Sequence, residues 1–120
     1  MQDEKSTLNV VSDDVLILTA AKLVQQMDGV VRLSGGITDN LSENIFGITP
    51  SGKGIKLSRD DDGIVIDVSV IVAYKVKIPQ LAWEIQSTIR KEIEKITNEK
   101  VSEINIHVQG VDLPLGGEKK

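Results

Sequence analysis

The stretch GIVIDVSVIVAYKVKIPQLAWEIQSTIRKEIEKITNEKVSEINIHVQGVDLP, residues 63–114, decides the fold. In its first part Ile64, Ile66, Val68, Val70, Val72, Tyr74 and Val76 take every second position. A period of two marks a strand with one well-buried face. Pro79 then falls in the first turn of a helix, where its missing N–H is not needed. Ile78, Leu81, Ala82, Ile85, Ile89, Ile93 and Ile96 follow at spacings of three and four, which makes one helical stripe. From Ile104 the period returns to two with Ile106 and Val108. A strand, helix and strand of this size form a unit whose helix covers its own sheet, with a right-handed crossover if the strands are parallel.

Upstream of this unit the pattern is helical again. Ser12 is a good N-cap ahead of Asp13 and Asp14, and a helix to about Met27 places Leu16, Ile17, Ala20, Leu23, Val24 and Met27 on one face. Val15 and Leu18 fall off that stripe; they are expected in the seam with the second helix, with exposure as the alternative. Leu8, Val10 and Val11 suggest a short edge strand, and Val30 to Ser34 another strand closed by Gly35-Gly36. Thr38 caps one or two helical turns through Leu41 and Ile45, and Gly47 to Gly54 is dense in turn residues and reads as a loop. Ile55 to Arg59 reads as a strand, joined by Asp60-Asp61-Asp62-Gly63 to the long one, and Asp-Gly between two β patterns signals a hairpin. After Gly110 the alternation slips by one to Val111 and Leu113, the signature of a bulge, and Pro114 stops the strand. The expected organisation is a flexible terminus at 1–7, a single domain at 8–114 and a tail at 115–120.

Composition narrows the function classes. The chain has 120 residues, enough for one domain, and no cysteine, which removes disulfides, thiol catalysis and thiolate metal sites. Its 14 basic and 18 acidic residues give a net charge of -4, with both signs interspersed. Nucleic-acid binding needs a basic face, and only three aromatics are available for base stacking, so an RNA-binding role is disfavoured. No apolar run approaches the ~18 residues of a membrane span, so any membrane association has to come through a partner. The polar, acidic start MQDEKSTLN is unlike a signal or transit peptide.

The short motifs carry little chemistry. Gly47 to Lys53 satisfies G-x-x-x-x-G-K, but Gly54 stands where a P-loop needs Ser or Thr, and a strand pattern follows where its helix would begin. Asp60, Asp62 and Gly63 echo part of a calcium loop, yet its first and twelfth positions are Ser58 and Ser69. His107, the only histidine, shares a strand face with Glu103, Asn105 and Gln109 and lies near Asp67 or Ser69 if the two strands are neighbours. A triad also needs a positioned nucleophile and an oxyanion site, and neither is indicated. Trp83 lies roughly 140° from the centre of its helical stripe, beside Gln86, Ser87 and Arg90. It is either an interface anchor or a locally packed ring.

Several of these residues together resemble a known family. Tyr74 to Gln86 (YKVKIPQLAWEIQ) is similar to the Y-x-x-x-I-P-x-x-A-x-x-I-Q signature of the alkaline shock protein family of Gram-positive envelope-stress proteins. Val101 to Pro114 resembles its closing V-x-x-V-N-V-x-V-x-G-V strand, and Val11-Ser12-Asp13-Asp14-Val15 its I-S-x-x-V helix start. Asp28-Gly29-Val30 resembles its P-G-V, with Asp28 for the usual Pro; Asn98-Glu99 replaces a common Gly-Leu, and Trp83 takes a variable position. The resemblance covers about residues 8–114 and is most specific over 72–114. It implies a small, cytoplasmic, non-enzymatic domain without cofactors, gathered at the membrane through self-association or a membrane-anchored protein partner, in cell-envelope stress tolerance. It also implies, for some members, a link to fatty-acid synthesis, so the alternative function is a regulatory or ligand-binding subunit of lipid synthesis.

The expected fold is α/β (α+β): a two-layer sandwich with two helices on one face of a mixed sheet of about four strands. The other face, with Asp67, Ser69, Asn105, His107 and Gln109, is largely polar and is interrupted by Val65, Ile71 and Ala73. The candidate interface residues are Trp83 and Arg90 on the second helix, Leu18 on the first, and Ile71 and His107 on the sheet. No catalytic, cofactor-binding or metal-binding residues are assigned.

Overall fold

A computed structural model describes residues 11–35 and 54–113. Its elements are α1 (Asp13–Gln25), β1 (Val30–Leu33), β2 (Ile55–Asp60), β3 (Gly63–Ala73), α2 (Ile78–Thr97) and β4 (Val101–Asp112). The Ser12 side chain accepts from the Val15 N–H at 3.3 Å, and Asp13 and Asp14 face the positive end of the α1 dipole. Pro79 sits in the first turn of α2, and Asn98 closes that helix in the left-handed region at φ 62°.

The sheet is mixed and is built on β3. Along one edge β2 pairs antiparallel with residues 63–68 and β1 antiparallel with residues 70–72. Ser69 lies between the two pairings: its N–H donates to the Gly54 carbonyl at 2.8 Å and its carbonyl accepts from the Ser34 N–H at 2.9 Å. Along the other edge β4 runs parallel to β3 from the level of Ile64 to that of Ala73. The four strands therefore make a sheet that is three strands wide at any level.

Both helices lie on one face. Ile64, Ile66, Val68, Val70 and Val72 are completely buried against Leu16, Ala20 and Val24 of α1 and Ile85, Ile89 and Ile93 of α2. Burying one such side chain is worth about 1.5–3 kcal/mol, so this alternation outweighs the helix and strand propensities of the individual residues. The bulge read from the Gly110 region is present, as the register passes from Val70↔Val108 directly to Ile71↔Gly110. A second irregularity lies between the Ile64↔Val101 and Val65↔Glu103 pairs.

Four expectations are corrected. The long strand ends at Ala73: Lys75 turns the chain at φ 75°, leaving Tyr74 exposed and Val76 outside the strand. Val15 and Leu18 are exposed, Leu18 to 62%. Each points roughly 150° away from the centre of the stripe formed by Leu16, Ile17, Ala20 and Val24, too far round to reach α2. Helix α1 ends at Gln25 rather than near Met27. Val11 packs against the core without forming a strand. The terminus at 1–7, the strand at 8–10, the helical turns through 38–45, the loop resembling a P-loop at 47–53 and the tail at 115–120 lie outside the described residues.

The β2–β3 hairpin turns through Asp61-Asp62, with Asp60 paired to Gly63. Gly63 has φ 146°, and a Cβ there would collide with the Lys100 carbonyl oxygen, which accepts the Ile64 N–H. Gly63→Ala is expected to lower the unfolding free energy by roughly 2–4 kcal/mol, from backbone strain plus displacement of β4. Gly110→Ala, which meets only the Cδ1 of Ile71 at the end of a flexible side chain, should cost much less; urea titration of both variants checks this.

Asp60 secures the same turn. Its carboxylate accepts from the Asp62 N–H at 2.8 Å, the Gly63 N–H at 2.9 Å and the Ser102 hydroxyl at 3.1 Å. These bonds, the one from Asp62 foremost, hold its pKa below the ordinary carboxylate value against the opposing effect of desolvation. A group with a lower pKa folded than unfolded contributes stability above its unfolded pKa and loses it as pH falls through its folded one. Asp60→Ala should therefore lower Tm at neutral pH, and thermal melts along an acid series should show the difference shrinking below the ordinary carboxylate range.

Candidate interaction surfaces

The candidate interface residues fall on three separate surfaces. Leu18 lies on the outer side of α1. Ile71 and His107 lie on the sheet face away from the helices, and Trp83 and Arg90 lie along α2 where it borders β4.

On the open sheet face, His107 pairs across to Ser69, and its Nε2 lies 3.2 Å from Oδ1 of Asp67. Asn105 Nδ2 donates to the same Asp67 oxygen at 3.1 Å. The His107–Asp67 neighbourhood expected from strand pairing is therefore present, while the Ser69 hydroxyl makes no hydrogen bond to the imidazole among the described residues. Ile71 is half-buried beside Gly110, so the polar cluster ends in a small apolar zone with Ala73. At the strand ends nearest the β2–β3 turn, Arg59 bonds Asp13 at 3.1 Å and Glu99 at 3.3 Å. Burial alone would lower the Arg59 pKa, but the bonds to Glu99 and Asp13 outweigh it and raise the value.

The α2 surface is the most elaborated. Trp83, Gln86, Ser87, Arg90, Lys91 and Glu94 line a groove of about 510 Å³. Trp83 is 66% exposed at one end, and the Ser87 hydroxyl donates to its carbonyl at 2.8 Å. The polar lining is aimed at the backbone of β4. Glu94 accepts the Val101 N–H at 2.8 Å, Arg90 donates to the Val101 carbonyl, and Gln86 donates to the Ile104 carbonyl at 3.0 Å. Gln86, Arg90 and Glu94 are four residues apart, so they form one stripe running along the strand.

This stripe decides what the groove can do. Its three polar side chains are already engaged with main-chain groups of β4, which leaves the exposed Trp83 indole and the exposed Lys91 side chain as the contacts the groove offers. Trp83, Gln86, Ser87 and Arg90 were readable as neighbours from helical angles alone. The roles of Gln86 and Glu94 depend on which edge of β4 faces outward, which no local pattern shows.

Comparison with known proteins finds relatives whose descriptions name no reaction. The model of the alkaline shock protein 23 family, described as having a cell envelope-related function, matches residues 1–113. An uncharacterized protein of Bacillus subtilis (strain 168), YqhY, is 35% identical over 101 residues, covering 84% of this chain and 74% of its own. Spy1535 of Streptococcus pyogenes serotype M6, also uncharacterized, is 29% identical over 103 residues, 85% of this chain and 77% of its own. A stress response regulator gls24 homolog of S. pyogenes serotype M3 is 21% identical over 96 residues, 80% of this chain and 54% of its own. No solved structure matches the chain.

Removing the acceptor at one end of the stripe tests the role of the groove lining. Glu94→Ala leaves the part-buried Val101 N–H without its partner and should lower the unfolding free energy by about 1–3 kcal/mol. Glu94→Gln keeps an acceptor oxygen and should cost less; urea titration distinguishes the two.

Proposed function

The chain belongs to the alkaline shock protein family, whose function is cell envelope-related, and from that premise we propose that it is a non-enzymatic scaffold of the envelope stress response. The observation that carries this reading is the exposed Trp83 beside a groove whose Gln86, Arg90 and Glu94 side chains are engaged with β4. A large amphipathic ring in that position gains much from burial against another protein. The stress connection follows the relatives described as stress response regulator gls24 homologs.

No helix among the described residues is long and apolar enough to cross a membrane. In the scaffold reading the chain acts in the cytoplasm, as the family resemblance implies, and reaches the membrane through an anchored partner, through further copies of itself, or through both.

Affinity purification of the tagged chain from membrane and soluble fractions of its host, after mild crosslinking, tests this. The expected outcome is stoichiometric recovery of a membrane protein, reduced severalfold by Trp83→Ala with the fold intact by circular dichroism. Recovery of a soluble lipid-synthesis enzyme in its place would assign the chain to regulation of that enzyme and overturn the scaffold reading.

A further inference from the structure

Strand β4 is an outer strand of the sheet, and its free edge is treated differently along its length. In a parallel pair, a residue of the outer strand that stands opposite a residue bonded toward it sends its own N–H and C=O the other way. The Ile64 N–H bonds the Lys100 carbonyl at 2.9 Å while Ile64 is in register with Val101, which sets the phase. Val101, Ile104, Ile106 and Val108, opposite Ile64, Ile66, Val68 and Val70, therefore direct their main-chain groups outward. The bonds from Gln86, Arg90 and Glu94 to Val101 and Ile104 agree with that direction.

The helical stripe stops there. Among the described residues, no strand and no side chain pairs with the outward groups of Ile106 and Val108. His107, Val108 and Gln109 are exposed. From Ile104 to Val111 the sequence INIHVQGV holds no Asp, Glu, Lys or Arg, whereas the six residues of β2 on the opposite edge include Lys56, Arg59 and Asp60. Natural sheets usually blunt a free edge with charge, as β2 does. The far half of β4 carries no such charge.

We propose that a second copy of this chain pairs its own β4 with this edge, antiparallel across a twofold axis at His107, so that Ile106 of each copy stands opposite Val108 of the other and two sheets become one. The proposal rests on the scaffold reading and specifies how copies would meet. Unpaired main-chain groups in an extended strand call for another extended strand. Twofold pairing sets a sequence against itself, so a charged strand would meet like charge. This segment meets none, although each chain carries a net charge of -4. Val108, 37% exposed, would be covered beside the axis. Trp83 precedes Gln86 by about 4.5 Å along α2, which places its ring beside the level of Ile106 at the margin of the seam.

The test uses the full chain. Wild-type protein should sediment as a concentration-dependent dimer. Val108→Pro removes an outward N–H and leaves the β3–β4 ladder intact, so it should weaken dimerisation roughly tenfold or more with little change in Tm. Because the chain has no cysteine, His107→Cys, which would face its own copy at the axis, gives an independent readout: mild oxidation should yield a covalent dimer, whereas Val31→Cys, exposed on β1, should not. A wild-type monomer up to millimolar concentration, an undiminished Val108→Pro dimer, or equal crosslinking from Val31→Cys would each overturn the proposal. The affinity purification separates this from the scaffold reading. A monomer that still recovers a membrane protein through Trp83 would sink the edge pairing alone, and recovery lost in Val108→Pro would assign the edge to that protein's strand. Neither a dimer nor a membrane partner would sink both.

Discussion

Strand β3 is the constraint on which the rest depends. It is hydrogen-bonded along both edges, and its Ile64, Ile66, Val68, Val70 and Val72 are fully buried. A slip of one residue would turn all five toward the open face and expose them together. Every other element is placed by reference to it: β1 and β2 share one edge, β4 takes the other, and both helices pack on its apolar side. The exchange of bonds at Ser69 with Gly54 and Ser34 lets two short strands occupy one edge without a gap in the ladder.

Helix α2 serves two purposes because two of its faces have different partners. Leu81, Ile85, Ile89 and Ile93 enter the core, while Gln86, Arg90 and Glu94 lie over the edge of β4. The second stripe satisfies main-chain groups that a lone outer strand would leave to solvent or to another chain. Edge protection thus grades into edge exposure along a single strand, and Trp83 stands near the change.

The open face follows a different logic. Asp67, Asn105 and His107 satisfy one another across two neighbouring strands, which makes that face tolerant of water. Ile71 and Ala73 continue it as a patch of modest size. These groups share hydrogen bonds among themselves and have no oriented nucleophile beside them among the described residues, so their arrangement reads as a wetted sheet surface.

By itself the sequence determined the six described elements and most of the inward positions of each, Ile78 at the exposed start of α2 and the strand expected at Val11 excepted. Periods of two and of three to four are imposed by backbone geometry, so the alternation over 64–72 and the stripe from Leu81 to Ile93 could be read locally. So could the bulge, from the slip after Gly110, and the cluster around Trp83, from helical angles. Tertiary structure alone decided the limits and the edges. The strand stops at Ala73 because Lys75 turns the chain, although the alternation runs on to Val76. Leu18 stays in solvent because α2 packs elsewhere on α1. The partners of Gln86, Arg90 and Glu94 are carbonyl and amide groups that every residue possesses, so no side-chain pattern encodes them. Which of those groups remain free depends on the order of the strands, and that order is set by long-range burial.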